Sequence, residues 1–185
     1  MEGIKIISVN CQGLADRNKR KDVFSYLKSK QYNIYCLQDT HFTYEQENII
    51  RSEWGLECVF SSYKSNSRGV AILFNNNFEV KILREKKDVD GNLLCLDLEI
   101  DNVRLTLLTI YGPNIDSPWF YDKVSDILHE FNNENYIICG DFNLVLDSDL
   151  DYDEGYRHVN NPRARDKVID IIDNFNLVDV CRQTK

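Results

Sequence analysis

Long hydrophobic runs are missing from this sequence: nothing approaches the ~18 consecutive apolar residues of a membrane span. No secretory leader is expected either, because "MEGIKIISVN" carries an acid at its second position and passes straight into a strand-like segment. Closely spaced cysteine pairs are also absent. The six cysteines, at 11, 36, 58, 95, 139 and 181, lie 22 to 44 residues apart with no C-x-x-C, which argues against structural zinc and against a small secreted disulfide scaffold. Cys36, Cys95 and Cys139 sit inside apolar runs and read as reduced, buried hydrophobes. Nor is there a basic excess. Against 22 Lys and Arg stand 30 Asp and Glu, for a net charge of −8 and a pI near 4.9. A duplex binder usually shows a basic face, so contact with nucleic acid would need a locally basic cleft or a divalent metal bridging acid to phosphate. Repeats, linkers and low-complexity tracts are lacking. These absences point to one soluble, intracellular, non-secreted domain over residues 1–185.

What is present suits a packed core: 43% hydrophobic and 28% charged residues over a length typical of one domain. β-branched or apolar runs at 4–10, 33–38, 56–62, 69–74, 78–85, 93–100, 103–111 and 135–140 predict strands. Asp101-Asn102 makes a two-residue hairpin link between two of them. Helical periodicity predicts helices over 18–30 and 43–54, the latter capped by Thr43. Ser117-Pro118 and Asn161-Pro162 open two more, with Pro at the first helical position. βαβ units mixed with antiparallel hairpins predict layered sheets with helices outside.

Four predicted strands end in groups suited to phosphate or metal chemistry. "SVNCQG" ends on Asn10, "CLQDTH" on Gln38, Asp39 and His41, "LTIYGPN" on Tyr111 and Asn114, and "CGDFN" on Asp141 and Asn143. Any one of them reads as an ordinary turn. Together they suit phosphoester hydrolysis. A hard cation such as magnesium is held by one or two carboxylates plus water and substrate, and Asp39 is the candidate ligand. Asn10 and Asn143 would position phosphate oxygens without adding charge. Asp141 would orient or deprotonate a water, and Tyr111 would donate to developing charge.

The set "SVNCQG", "LQDTH", "RGVAIL", "YGPN" and "GDFN", in this order, resembles the endonuclease/exonuclease/phosphatase superfamily. Within it the sequence is most similar to the apurinic-like endonuclease domain of LINE-type retrotransposons, over about residues 4 to 182. The resemblance implies a four-layer α/β sandwich of two packed mixed sheets flanked by helices. It further implies magnesium-dependent cleavage of DNA, with manganese as the alternative ion, at a site of Asn10, Asp39, Tyr111, Asp141 and Asn143, the metal on Asp39 and Asn10. A retrotransposon endonuclease would work in the nucleus.

Three departures accompany the resemblance. Asp39 stands where the family usually has Glu, drawing the carboxylate back by ~1.5 Å. Gln12 replaces an Asp of the apurinic branch. The resemblance also implies a further pair of strands with another catalytic Asp and an Asp-His pair, and the sequence ends at "VDVCRQTK" before them. The expectation is therefore a domain incomplete at its C-terminus, weak or inactive alone. Two alternatives stand beside the nicking endonuclease: a phosphatase or phospholipid or inositol phosphoesterase on the same fold, and a non-catalytic remnant.

Other residues read more plainly. His41 is either phosphate-proximal or a loop cap, and His129 is structural. His158 and Arg157 share a loop with Arg163 and Arg165 nearby. The acidic run from Asp147 fails as a calcium loop, since position 6 would be Tyr152 and position 12 His158. Cys11 reads as packing, with no base assigned to it.

Overall fold

The computed structural model describes residues 3–76, 79–147 and 161–183. The chain divides into two compact units, one of 1–111 with 133–142 and one of 112–132 with 143–185.

The first unit holds both sheets. In chain order it contains β1 (Ile6–Asn10), α1 (Arg17–Ser29), β2 (Ile34–Gln38), a 3-10 turn (Tyr44–Gln46), α2 (Glu47–Trp54), β3 (Cys58–Ser61), β4 (Val70–Phe74), β5 (Lys81–Lys87), β6 (Leu93–Ile100), β7 (Val103–Tyr111) and β8 (Tyr136–Asp141). One sheet runs β1-β2-β4-β3 and the other β5-β6-β7-β8. β1 with β2 and β7 with β8 are parallel pairs, while the remaining neighbours are antiparallel. The expected α/β class with two mixed sheets is therefore the observed one.

Alternation along the strands builds two cores. In β2 and β4, Tyr35, Leu37, Ala71 and Leu73 turn to one side and pack with Phe24 and Leu27 of α1 and Ile50 and Trp54 of α2. Their neighbours Ile34, Cys36, Val70, Ile72 and Phe74 turn to the other side and meet Leu94, Leu96, Leu98, Leu105 and Leu107 of the second sheet. Both faces of β2 and β4 are thus buried, which explains runs with no polar alternation. Trp54 anchors the helix-side core through edge contacts with Phe24 at 5.2 Å and Tyr35 at 5.5 Å. Arg20 and Glu53 tie α1 to α2 at 2.6 Å, and Arg20 also donates to the carbonyls of Leu14 and Ala15.

Helix starts follow the proline signals, but the expected Thr43 cap is not made. Thr43 precedes the 3-10 turn without a capping bond, and α2 begins only at Glu47. In the second unit, α3 (Pro118–Phe131) starts behind a Ser117 that makes no side-chain cap bond. α4 (Pro162–Asn174) starts behind Asn161, whose side chain likewise caps nothing. Asp116 accepts from Ala164 N at 2.8 Å and from Arg163 Nε at 3.0 Å, so a residue far back in the chain satisfies that helix start. α3 and α4 pack together, with His129 edge-on to Phe175 at 4.7 Å and Lys167 paired to Asp122 at 2.7 Å. A short α5 (Val180–Gln183) follows. Arg157, His158 and the acidic run beyond Asp147 lie outside the described residues. Among the described residues no helix is long and apolar enough to cross a membrane.

Candidate active site

Four rows of side chains on the inner faces of the two sheets lead to one rim. They are Ile6, Ser8 and Asn10 on β1; Ile34, Cys36 and Gln38 on β2; Leu105, Leu107, Thr109 and Tyr111 on β7; and Cys139 and Asp141 on β8. The first three rows begin apolar and become polar toward the strand end. Just beneath the rim the polar members join. Ser8 Oγ donates to Gln38 Oε1 at 3.2 Å, and Gln38 Nε2 donates to Thr109 Oγ1 at 2.8 Å and to the Cys36 carbonyl at 3.0 Å. Cys139 lies among Cys36, Ser8 and Thr109, whose polar groups, Cys36 foremost, lower its thiol pKa against the opposing effect of burial. The bond to Cys139, reinforced by burial, pushes the Cys36 thiol well above its ordinary pKa. Gln38 is 1% exposed and Thr109 fully buried, so a satisfied polar brace crosses from one sheet to the other.

At the rim, Asn10 Nδ2 donates to Asp141 Oδ2 at 2.7 Å, and Asn10 Oδ1 accepts from Gln12 N at 3.1 Å. These bonds settle the amide orientation, because the flipped amide would set oxygen against carboxylate and NH₂ against N–H. Tyr111 is the register partner of Asp141. Its backbone is held on both sides by Asn92, with its N–H donating to the Asn92 carbonyl at 2.7 Å and its carbonyl accepting from Asn92 Nδ2 at 2.6 Å.

Asp39 follows Gln38, the register partner of Asn10. Strict alternation would set it on the Leu37 side, but its φ of +52° ends the alternation there. Its Oδ1 takes bonds from His41 Nε2 at 3.0 Å and Arg68 N at 3.1 Å. Its Oδ2 has no hydrogen-bond partner among the described residues. Gln12, His41 and Arg68 share the left-handed conformation, with φ of +48°, +58° and +60°. Such strained residues concentrate at functional sites. Two glycines leave room for this loop: a Cβ on Gly13 would stand 2.7 Å from His41 Nδ1, and one on Gly69 2.5 Å from Thr40 Oγ1.

Gly140 of "GDFN" is a strand residue, since β8 continues through Asp141. A Cβ there would lie 2.1 Å from the Ile110 carbonyl oxygen, and its φ is +140°. Glycine is required because β8 passes too close to β7 for any side chain. Asn143 belongs to the second unit, where its Nδ2 donates to the Gly112 carbonyl at 2.7 Å and its own carbonyl accepts from Asn161 Nδ2 at 3.1 Å. The other four expected residues, Asn10, Asp39, Tyr111 and Asp141, come from four strands to one rim of the first unit. His41 joins them through Asp39. Gln12 stood only as a departure from the family pattern, Arg68 and Thr109 were not expected at the site, and only the polar interruption of an otherwise apolar "LTLLTIY" pointed to the last. Cys11 is no nucleophile, because burial pushes its thiol up to about 12, only partly opposed by Lys19.

Comparison with known proteins places this geometry. The Endonuclease/Exonuclease/phosphatase family matches residues 7–172. The chain belongs to this family. An uncharacterized 149 kDa protein of transposon TX1 from Xenopus laevis is 29% identical over 187 residues, covering 97% of the chain and 14% of that protein. An exodeoxyribonuclease of Bacillus subtilis is 27% identical over 155 residues, covering 77% of the chain and 59% of that enzyme. The chain therefore spans less than two thirds of either relative. Among solved structures, an AP endonuclease from Leishmania major superposes with a TM-score of 0.76 at 18% identity, over 97% of this chain and 69% of that one. The α/β fold is thus the family fold, and the family's nuclease and transposon relatives share its sequence pattern.

The donor chemistry of the rim fits a hard divalent cation. Among the described residues no three His, Cys, Asp or Glu side chains gather as a metal cage. Magnesium does not ask for one, since it commonly rests on one or two carboxylates with water and phosphate supplying the other ligands. Asp39 offers one such oxygen, with its other oxygen fixed by two donors.

Proposed function

We propose that the chain is a divalent-metal-dependent phosphodiesterase that nicks DNA, with residues 1–185 acting as one catalytic domain. Enzymes of this family are generally dependent on a divalent metal. Magnesium on Asp39, neighboured by Asn10, with manganese as a substitute, would supply Lewis-acid stabilisation of the phosphate. The observation that carries the reading is the 2.7 Å bond between Asn10 and Asp141, which joins the end of β1 in one sheet to the end of β8 in the other. It holds a carboxylate in a fixed orientation beside Tyr111 and the Asp39 loop.

Each residue then has a role its contacts support. Asn10, with both ends of its amide engaged, orients Asp141. Asp141 takes a proton from the attacking water. Tyr111, fixed by Asn92 on both backbone groups, donates toward charge on phosphate or leaving oxygen. Asn143 lies in the second unit, where its Nδ2 is engaged by the Gly112 carbonyl. His41 holds the Asp39 carboxylate. DNA as the substrate is supported by the exodeoxyribonuclease relative, and a transposon role, with nuclear residence, by the TX1 relative.

Supercoiled-plasmid nicking with magnesium tests the proposal. Wild-type protein nicks, EDTA stops it, and Asp141→Asn slows it by roughly 10²–10⁴-fold, the span of general acid–base contributions. Nicking that survives EDTA, or that is indifferent to Asp141→Asn, would refute the reading.

A further inference from the structure

A chain of net charge −8 whose candidate site holds two aspartates repels the polyanion it would cut. The loop between β3 and β4 carries what offsets this. Lys64 Nζ stands 4.8 Å from the centroid of the Tyr63 ring, and the Arg68 guanidinium carbon 5.0 Å from the same centroid. Both cations therefore stand over the same ring, within about 10 Å of each other. Their carboxylate partners are few. Arg68 Nη1 is 3.9 Å from Asp90 Oδ1, a half-exposed, single contact, and such surface pairs hold weakly. Lys64 has no ion-pair partner among the described residues.

The loop that carries them is fixed. Arg68 has its φ at +60°, and its backbone N–H is spent on Asp39 Oδ1 at 3.1 Å. Gly69 follows it, packed against Thr40, and its N–H donates to the Gly91 carbonyl at 3.0 Å. Gly91 lies so close to Tyr63 that a Cβ there would be 2.8 Å from the Tyr63 Cβ. The backbone that carries Tyr63 is therefore packed against the segment that contacts Asp39.

We propose that Tyr63, Lys64 and Arg68 form a phosphate-backbone anchor, a cation pair on one ring that takes phosphates of the nucleic-acid strand next to the one being cleaved. The anchor rests on the DNA-nicking reading and adds to it the surface along which the substrate lies. Phosphates follow one another at roughly 3.4 Å of axis per strand, so two cations within about 10 Å of each other can meet two phosphates of one strand. A small phosphoester has no second phosphate for it.

Fluorescence anisotropy of a fluorescein-labelled duplex oligonucleotide, in EDTA and across a potassium chloride series, tests the anchor without turnover. Lys64→Gln and Arg68→Gln should each reduce the slope of log K against log[salt] by about 0.9, and the double variant by about 1.8, since each neutralised phosphate contributes that much. Tyr63→Leu, which keeps both charges, should leave the slope in place and weaken binding several-fold. Lys81→Gln is the control, because Lys81 pairs with Glu99 near the Val103 end of the second sheet, and it should match wild type. A double variant with the wild-type slope, or a Lys81→Gln effect of equal size, would overturn the anchor while leaving the enzyme reading intact. A wild-type protein that neither binds the duplex nor nicks plasmid would sink the DNA reading and the anchor with it.

Discussion

Gly140 ties the packing of β8 on β7 to the placement of Asp141. Its missing side chain lets β8 come within contact of Ile110, and the next residue is Asp141. Gly140→Ala should cost about 3 kcal/mol or more, from left-handed strain plus a clash with backbone, read as a lower urea midpoint. The folded fraction should also nick poorly, because Asp141 moves with the strand. A variant as stable as wild type would show that β8 can retreat from β7. Cys11 makes the opposite case. With its pKa near 12, only about one thiol in 10⁴ is ionised at pH 8, so iodoacetamide should leave Cys11 unmodified in the native protein. Rapid labelling seen by mass spectrometry would contradict its burial. That Asn10, Asp39, Tyr111 and Asp141 stand at strand ends was legible in the sequence, because each ends an apolar run. Gln12 and Arg68 were not, because nothing in a Gln or an Arg announces a left-handed backbone. That conformation is imposed by bonds between loops that meet only in the folded chain.

At the scale of elements, the brace of Ser8, Gln38, Thr109 and Cys139 lies one or two residues below Asn10, Asp39, Tyr111 and Asp141. It should therefore govern how the two halves of the rim line up. Thr109→Val removes the hydroxyl that Gln38 donates to; the loss should be about 1 kcal/mol, with kcat falling roughly tenfold and KM little changed. Thr109→Ser should restore kcat. A Val variant that loses stability but keeps kcat would reduce the brace to packing. Arg20 and Glu53 give α1 and α2 a pH-sensitive tie. The hydrogen bond from Arg20, assisted by Arg17 and opposed by burial, holds the Glu53 carboxyl below the usual glutamate range. A folded pKa below the unfolded one means the stabilisation is complete above the ordinary glutamate value and disappears as pH falls through the folded value. Glu53→Gln should cost about 3 kcal/mol at pH 7 and flatten the decline in melting temperature below about pH 4.5. An unchanged acid limb would exclude Glu53 as its source. Strands were more legible than helix ends. β6 and β7 follow their apolar runs residue for residue, whereas the start of α4 is satisfied by Asp116, a tertiary contact that no local pattern contains.

For the whole molecule, the α/β class and its two mixed sheets were readable from the mixture of βαβ units and hairpins. The division into two compact units was not. Their segments interleave along the chain; Gly112-Pro113 at the first boundary reads as an ordinary turn, and neither 133 nor 143 is a glycine or proline. Packing in the folded chain alone separates them, and composition does not record it. The uneven charge was legible only as a total. The −8 is a sum, and the pairing of Lys64 with Arg68 on Tyr63 depends on a turn closed by a bridge between Lys64 and Ser67.

β1 and β8 are each paired on one side only among the described residues, while β2, β4, β6 and β7 have neighbours on both. In a ladder, half the amides of such a flanking strand point away from its partner. Deuterium should therefore enter the molecule unevenly. The amides of β6 and β7 should be the last to label, and those around Asn10 and Asp141 among the first, through openings that leave the centre of each sheet closed. Asn10 and Asp141, two of the side chains proposed to do the chemistry, would then stand on strands that open readily, and an oligonucleotide spanning the rim should slow exchange there before anywhere else.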